Sequence, residues 1–166
     1  MKKIKLLLCL FMLTTLCGCS NSNKNKSSKT LNAAMFWIST SLDPTNNYDG
    51  WVLSRIGVGE TLLKLNEKYE VEPSLAKSYE QIDDTTWKLT LKDHITFSNG
   101  KKVTGENVKA CLERAFEKNT RAIDYFDLNH VEADEQDVYL YLNKSSGAIL
   151  NNLCEPLFTI YDASQS

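Results

Sequence analysis

The chain has 166 residues, which is enough for one domain with a sizeable apolar core. Its formal net charge is −2 and its isoelectric point is about 5.7. A domain that binds nucleic acid would carry a basic patch or stripe, and this charge balance argues against one. We therefore expect no nucleic-acid partner.

The first residues are typical of an export signal. Residues 1–5 are rich in lysine, and residues 6–16 form an apolar run that is short for a membrane span. The run ends in Leu16-Cys17-Gly18-Cys19, which is similar to a bacterial lipobox. This pattern predicts a lipoprotein signal peptide at residues 1–18 and a lipid on Cys19. An ordinary secretion signal cut near Gly18 stays open as the alternative.

Residues 19–30 predict a polar tether. The segment from 21 to 29 contains only asparagine, serine and lysine, so it has no apolar side chains with which to build a core. A lipid on Cys19 would anchor the folded part without a spanning helix. We therefore expect the protein on the extracytoplasmic face of the cell membrane, held there by its lipid.

Short elements follow in the first third of the folded part. In chain order we expect a strand at 31–37, a turn at 42–44, a loop at 46–50, a helix at 51–60, and a hairpin that joins 62–65 to 69–72. Gly57 and Gly59 weaken the predicted helix because glycine is a poor helix former.

The clearest periodicity lies between residues 86 and 118. Trp87, Leu89 and Leu91 alternate with polar residues and predict a strand whose apolar face is buried, with Trp87 in the core. A second strand is expected at 95–97, followed by a turn at Asn99-Gly100. An amphipathic helix then runs to about residue 118, with Thr104 as its N-cap.

The last part of the chain predicts a hairpin and a short helix. Residues 131–133 and 138–142 form the hairpin, around a turn at 134–137. Ser145 or Ser146 is expected to cap a short helix that Pro156 ends. A further strand is expected to start at 158–161. We find no internal repeat in the chain.

Several of these segments carry a family pattern. Residues 73–79 read Pro-Ser-Leu-Ala-Lys-Ser-Tyr, residues 87–91 read Trp-Lys-Leu-Thr-Leu, and residues 97–100 read Phe-Ser-Asn-Gly ahead of the helix capped by Thr104. From about residue 31 onward the chain resembles the oligopeptide/nickel family of ABC-transporter solute-binding proteins.

The resemblance implies an α+β fold, the N-terminal part of the first lobe of a two-lobed periplasmic-binding-protein type II fold. Residues 31–166 would be an incomplete domain of this kind, because members of the family have several hundred residues. The implied function is capture of a peptide or a nickel-type metal chelate for an ABC permease, by closure of two lobes on the ligand. No enzymatic activity and no cofactor are implied.

Cysteine and histidine residues offer a rival interpretation. Cys111 and His94 could act as nucleophile and base in a lipid-anchored hydrolase, although Cys111 falls on the apolar face of the predicted helix. Cys111 and Cys154 form either one disulfide or two separately buried thiols. His94 and His130 lack neighbours at zinc-ligand spacing, so we predict no metal site.

Aromatic and cationic residues in loops are the candidate ligand-binding residues. A peptide or chelate site needs apolar platforms and a few fixed charges. The loop residues of these types are Tyr48, Trp51, Arg55, Arg121, Tyr125 and Phe126, and of these we predict Tyr48, Trp51, Arg55 and Arg121 as ligand-binding. The resemblance is strongest to the nickel-binding branch, and it brings Arg121 near an arginine of that branch's cleft. Glu155 stands where the branch has another arginine.

Overall fold

The computed structural model describes residues 32, 34, 35 and 41–165. The signal peptide, the tether and most of the predicted first strand at 31–37 lie outside these residues. Within them the helices and strands are, in chain order, α1 Asp49–Arg55, β1 Leu63–Leu65, β2 Val71–Pro73, β3 Ala76–Gln81, β4 Thr86–Leu91, α2 Gly105–Lys118, α3 Ala122–Tyr125, β5 Leu128–Ala133, β6 Asp137–Leu142 and α4 Ile149–Asn152. The predicted α+β class is confirmed.

Strands β3 to β6 form an antiparallel sheet in the order β3-β4-β6-β5. Leu89 of β4 pairs with Tyr79 on one side and with Val138 on the other. Buried and half-buried residues alternate along β6, as in a strand with one covered face. The predicted hairpin of β5 and β6 is confirmed.

Helix α2 packs on β5 and β6, and its buried residues form the core together with those of the sheet. Its N-terminus is a capping box, in which the Thr104 hydroxyl accepts from the Asn107 N–H and Asn107 Oδ1 accepts from the Thr104 N–H at 2.9 Å. The apolar face of the helix buries Val108, Cys111, Leu112 and Ala115. The predicted cap and the predicted end near residue 118 are both confirmed.

The remaining elements pack around this layer. Strands β1 and β2 form the predicted hairpin as a separate two-stranded sheet. The helix predicted at 51–60 is instead α1, which begins two residues earlier, at Asp49, and ends at Arg55. It ends there because Gly57, two residues further on, has a left-handed φ of 74°. None of the helices in the described part is both long and apolar enough to cross a bilayer.

The predicted strand at 95–97 is wrong. Thr96 makes only an isolated bridge to Lys102, although the turn at Asn99-Gly100 is confirmed by a φ of 84° at Gly100. The sheet takes β3 instead, which the pattern did not predict. Most residues of β3 are exposed because it is an edge strand, so it lacks the apolar alternation that marks a strand in sequence.

Two predictions near the C-terminus are also wrong. The short helix α4 starts after Ala148, without a side-chain cap, and Ser146 contributes only its carbonyl to the Ile149 N–H. In place of a strand at 158–161 there is a 3₁₀ turn over Pro156–Phe158, and only Ile160 bridges to Glu60. Proline fixes φ at a helical value and so starts a helical turn here.

Trp87 lies on the predicted face of β4 but is only half-buried. It pairs with Leu140 on β6 and with Gln81 on the edge strand β3. Helix α2 packs on β5 and β6, so cover is thinner over this corner of the sheet. The prediction that Trp87 is a core residue is therefore right about the face and wrong about the extent of burial.

Candidate functional site

The loop at 41–48 is tied to α2 by Asp43. Its carboxylate accepts the N–H and the hydroxyl of Thr45, at 2.9 and 2.7 Å, and pairs with Arg114 Nη2 at 2.6 Å. Burial raises the pKa of Asp43, but the hydrogen bonds from Thr45 and Arg114 outweigh it, so this pKa lies below its ordinary value. Asp43 is ionised at neutral pH and fixes the loop on the helix.

A second carboxylate closes the same loop on itself. Asp49, the first residue of α1, is 5% exposed. It accepts the N–H and the hydroxyl of Ser41, at 3.0 and 3.1 Å, and the side-chain amide of Asn46 at 2.9 Å. The loop is thus held at several points, although by composition it is a polar surface segment.

Asn119 joins the loop to the chain just after α2. Its Nδ2 donates to the carbonyls of Thr45 and Asn47, at 3.0 and 3.2 Å, and its Oδ1 accepts the N–H of Arg121 at 3.0 Å. The sequence pattern marks Asn119 only as part of a helix break. Its partners lie 74 and 72 positions away in the chain, so no local signal could have identified it.

Tyr48, Trp51 and Arg121 come together in a cluster that we call the platform. The Arg121 guanidinium carbon lies 4.2 Å from the centroid of the Tyr48 ring, and Arg121 Nη2 donates to the Tyr125 hydroxyl at 3.2 Å. The Trp51 ring meets the Tyr48 ring edge-on at 5.7 Å. The sequence therefore predicted three residues that the fold brings to one place.

The fourth predicted residue, Arg55, does not join the platform. It is exposed in the last turn of α1, and within the described residues no hydrogen bond, ion pair or ring contact joins it to Tyr48, Trp51 or Arg121. Tyr125, and not Arg55, is the further residue that contacts the platform, through its hydrogen bond with Arg121. Burial, and then the charge of Glu155, raise the pKa of Tyr125 above its ordinary value.

A cavity of about 530 Å³ opens beside the platform, between the loop at 41–48 and the end of α2. Polar residues dominate its lining, which is made by Ser41, Asp43, Thr45, Asn46, Asn47, Tyr48, Lys118, Asn119, Thr120 and Arg121. Asp43 is paired with Arg114 and Lys118 with Glu117. No ion pair among the described residues uses Arg121, so its half-buried charge is available at the rim.

The two described thiols are separate and protonated. Cys111 and Cys154 are free, which settles the open question of a disulfide between them, although Cys154 is half-buried rather than buried. Burial raises the pKa of each thiol to about 11. Cys111 Sγ donates to the Tyr161 carbonyl at 3.1 Å, and His94 is exposed, so among the described residues no hydrogen bond joins either of these thiols to an imidazole.

The described residues offer no set of histidine, cysteine, aspartate and glutamate side chains that could hold a metal ion. The groups at the platform are the Arg121 guanidinium, the Tyr48 phenol ring and the Trp51 indole. Guanidinium binds carboxylate bidentately, and aromatic faces bind flat or apolar groups. The arrangement suits an organic anion, or a metal ion already wrapped in an organic chelator.

Residues 70–166 match the family described as bacterial extracellular solute-binding proteins, family 5 middle. A curated relative, the nickel-binding protein NikA of Staphylococcus aureus, strain NCTC 8325 / PS 47, is 33% identical over 147 residues. The alignment covers 89% of this chain and 29% of the relative. The chain therefore spans less than a third of the length of the curated relative it matches.

Two solved structures are similar over about three quarters of this chain. One is NikA from Staphylococcus aureus in complex with Ni(L-His)2, with a TM-score of 0.69 and 33% identity over 74% of this chain and 26% of that one. The other is a nickel ABC transporter structure from Bacillus halodurans, with a TM-score of 0.71 and 29% identity over 76% of this chain and 26% of that one. Both share the fold of the described residues.

Proposed function

We propose, from the premise that this chain belongs to the bacterial extracellular solute-binding proteins of family 5, that its platform forms one wall of a ligand site. The ligand would be a small peptide or a nickel-type metal chelate that carries a carboxylate. The protein would deliver it to an ABC permease in the membrane. The observation that carries the proposal is the Arg121 guanidinium, stacked on Tyr48 beside a polar cavity and without an ion-pair partner among the described residues.

An arginine held in this way favours a carboxylate. The Tyr48 ring and the Tyr125 hydroxyl fix the guanidinium plane, at 4.2 and 3.2 Å, so little side-chain freedom remains to be lost on binding. Hydrogen bonds to charged groups contribute about 1.5–3 kcal/mol each, more than neutral ones. Trp51 adds an apolar face against which the body of a ligand can pack.

If the bound molecule contains a metal ion, an organic chelator would already coordinate that ion. The platform lacks the carboxylate, imidazole and thiolate groups that bind a bare Ni²⁺ ion. Because the negative charge of Glu155 acts on Tyr125, we expect the part of the ligand beside Tyr125 to be neutral or cationic. Amino-acid chelates and peptides meet both requirements, since they carry an ammonium or amine group and a carboxylate.

We also propose that the mature protein is anchored through a lipid on Cys19, at the extracytoplasmic face of the cell membrane. The pattern Leu16-Cys17-Gly18-Cys19 and the polar segment after it support this anchor. A tethered binding protein would remain near its permease, which raises the local concentration of the captured ligand.

Isothermal titration calorimetry tests the proposal, with this chain carried within a protein of the relatives' full length. The titrants are Ni²⁺ alone, Ni²⁺ with excess L-histidine, and short peptides. We expect at least one carboxylate-bearing titrant to bind at micromolar concentration and Ni²⁺ alone to give no signal.

Arg121→Ala should weaken that binding by about 1.5–3 kcal/mol, which corresponds to roughly 10- to 150-fold in Kd. Lys68→Ala is the control, because Lys68 is an exposed cation between β1 and β2, outside the platform and the candidate ligand-binding residues, and should leave Kd unchanged. Equal Kd values for wild type and Arg121→Ala would contradict the proposal.

A further inference from the structure

The Asn119 side chain is hydrogen-bonded to the backbone next to Tyr48 and to the backbone of Arg121, although Asn119 is not itself part of the platform. Asn119 is 7% exposed and uses every polar atom of its amide group. Nδ2 donates to the carbonyl of Asn47, directly before Tyr48, and to that of Thr45. Oδ1 accepts the backbone N–H of Arg121. One amide group thus holds the backbone on both sides of the stacked pair.

We infer that Asn119 is the positioning residue that keeps the Tyr48 ring stacked on the Arg121 guanidinium; this rests on the proposed function of the platform. Tyr48 is 47% exposed, so burial alone does not fix its ring. Its direction depends on the preceding peptide, and Asn47 has a φ of 48°, a left-handed value that asparagine tolerates better than most residues. The Asn119 amide holds the carbonyl of that strained residue.

The chemistry of the partners requires an amide at this position. The two carbonyls can only accept and the Arg121 N–H can only donate, so the orientation of the Asn119 amide is determined by its partners. Aspartate would keep the acceptor for Arg121 but turn a carboxylate toward two carbonyl oxygens. Alanine would remove all three hydrogen bonds and leave the carbonyls to water from the adjoining cavity.

A ligand would then meet a platform that is already formed. Without the hydrogen bonds of Asn119, the Tyr48 segment and Arg121 would sample separate positions, and ligand binding would have to order them. Loss of the amide should therefore weaken ligand binding by acting through Tyr48 and Arg121. It should also separate the ring from the guanidinium in the free protein, which can be measured without any ligand.

Nuclear magnetic resonance of this chain, carried within a protein of the relatives' full length, provides that measurement. A guanidinium over an aromatic ring has side-chain proton resonances shifted upfield by the ring current. We expect this shift for Arg121 in the wild type, its loss in Tyr48→Leu, which identifies its origin, and its loss in both Asn119→Asp and Asn119→Ala. Two Asn119 variants are used because a carboxylate facing carbonyls can itself prevent folding.

Thr104→Ala is the matched control, because it removes a cap at the other end of the same helix and lowers stability without touching the platform. It should retain the Arg121 shift. Retention of the shift in either Asn119 variant would overturn the positioning role. So would its loss in Thr104→Ala, its absence in the wild type, or failure of both Asn119 variants to fold while Thr104→Ala folds.

Ligand titration separates this inference from the proposed function. If the Asn119 variants lose the shift but no carboxylate ligand binds to the wild type, the proposed function fails and the positioning of Tyr48 and Arg121 by Asn119 stands. If ligands bind and the Asn119 variants retain the shift and the wild-type Kd, the proposed function stands and the positioning role fails.

Discussion

Burial, rather than a reactive neighbour, sets the chemistry of the two described thiols. Cys111 donates to the Tyr161 carbonyl, and Cys154 donates to the Leu150 carbonyl at 3.4 Å. Desolvation raises the pKa of each thiol from 9.0 to about 11. A thiol with a pKa near 11 is ionised in only about one molecule in a thousand at pH 8. Reactive cysteines in enzymes have the opposite shift.

We therefore predict slow alkylation of both thiols in the folded protein. Iodoacetamide at pH 8, followed by peptide mass spectrometry, should leave the Cys111 and Cys154 peptides mostly unmodified until guanidinium is added. Unfolded thiols ionise near pH 9, so the stability linked to these groups is complete below pH 9 and is lost as the pH rises through about 11. Rapid alkylation of Cys111 in the native protein would contradict its protonated state.

At the scale of elements, α2 approaches the β5–β6 turn more closely than a side chain allows. Gly105 is the first residue of α2, and a Cβ atom there would overlap the Asp134 carbonyl oxygen and lie 2.9 Å from that of Asp137. Both neighbours are backbone atoms, so neither can move alone. The absence of a side chain at Gly105 is what allows the helix to lie against the turn.

Gly105→Ala should lower the free energy of unfolding by about 1–3 kcal/mol, the usual cost of overpacking. Alanine has the better helix propensity, so without the clash this change would stabilise the protein. Gly147→Ala is the control, because nothing lies within 4 Å of a Cβ atom there, and we expect a change within about 0.5 kcal/mol. Urea denaturation measures both, and an unchanged midpoint for Gly105→Ala would refute the close approach.

The elements that the sequence predicted are those whose signals are local. Thr104 bonds a residue three positions away, and the apolar residues of β6 follow its two-residue period, so pattern alone predicts both. The edge strand β3 has no such period because its residues face water. For the site, loop composition predicted Tyr48, Trp51 and Arg121, but Asn119 acts across more than 70 positions, and only the fold reveals it.

The folded part and the predicted signal peptide carry separate predictions for the protein. By the proposed function, the folded part would form one wall of a ligand site, and the sequence ahead of it predicts a lipid that would hold this wall at the membrane. Residues 1–30 lie outside the described structure, so the anchor rests on the sequence alone. The predicted lipid on Cys19 can be tested chemically, without any knowledge of the ligand site.

We expect mass spectrometry of the membrane fraction to find an N-terminal peptide that begins at Cys19 and carries a diacylglyceryl group. Cys19→Ala should move the protein out of the membrane fraction, because the predicted lipid anchor is lost. Cys154→Ala is the control and should leave the partition unchanged. A water-soluble mature chain that starts at another residue would refute the lipid anchor.

By the proposed function, Arg121 would receive a carboxylate of the ligand, and a double-mutant cycle between protein and ligand measures whether the two groups meet. Wild type and Arg121→Ala, in a protein of the relatives' full length, are each titrated with a bound peptide or chelate and with its carboxamide analogue. If the two groups meet, the analogue should lose about 1.5–3 kcal/mol against the wild type and much less against Arg121→Ala. Losses that agree within about 0.5 kcal/mol would mean that the carboxylate binds elsewhere, and would contradict the claim.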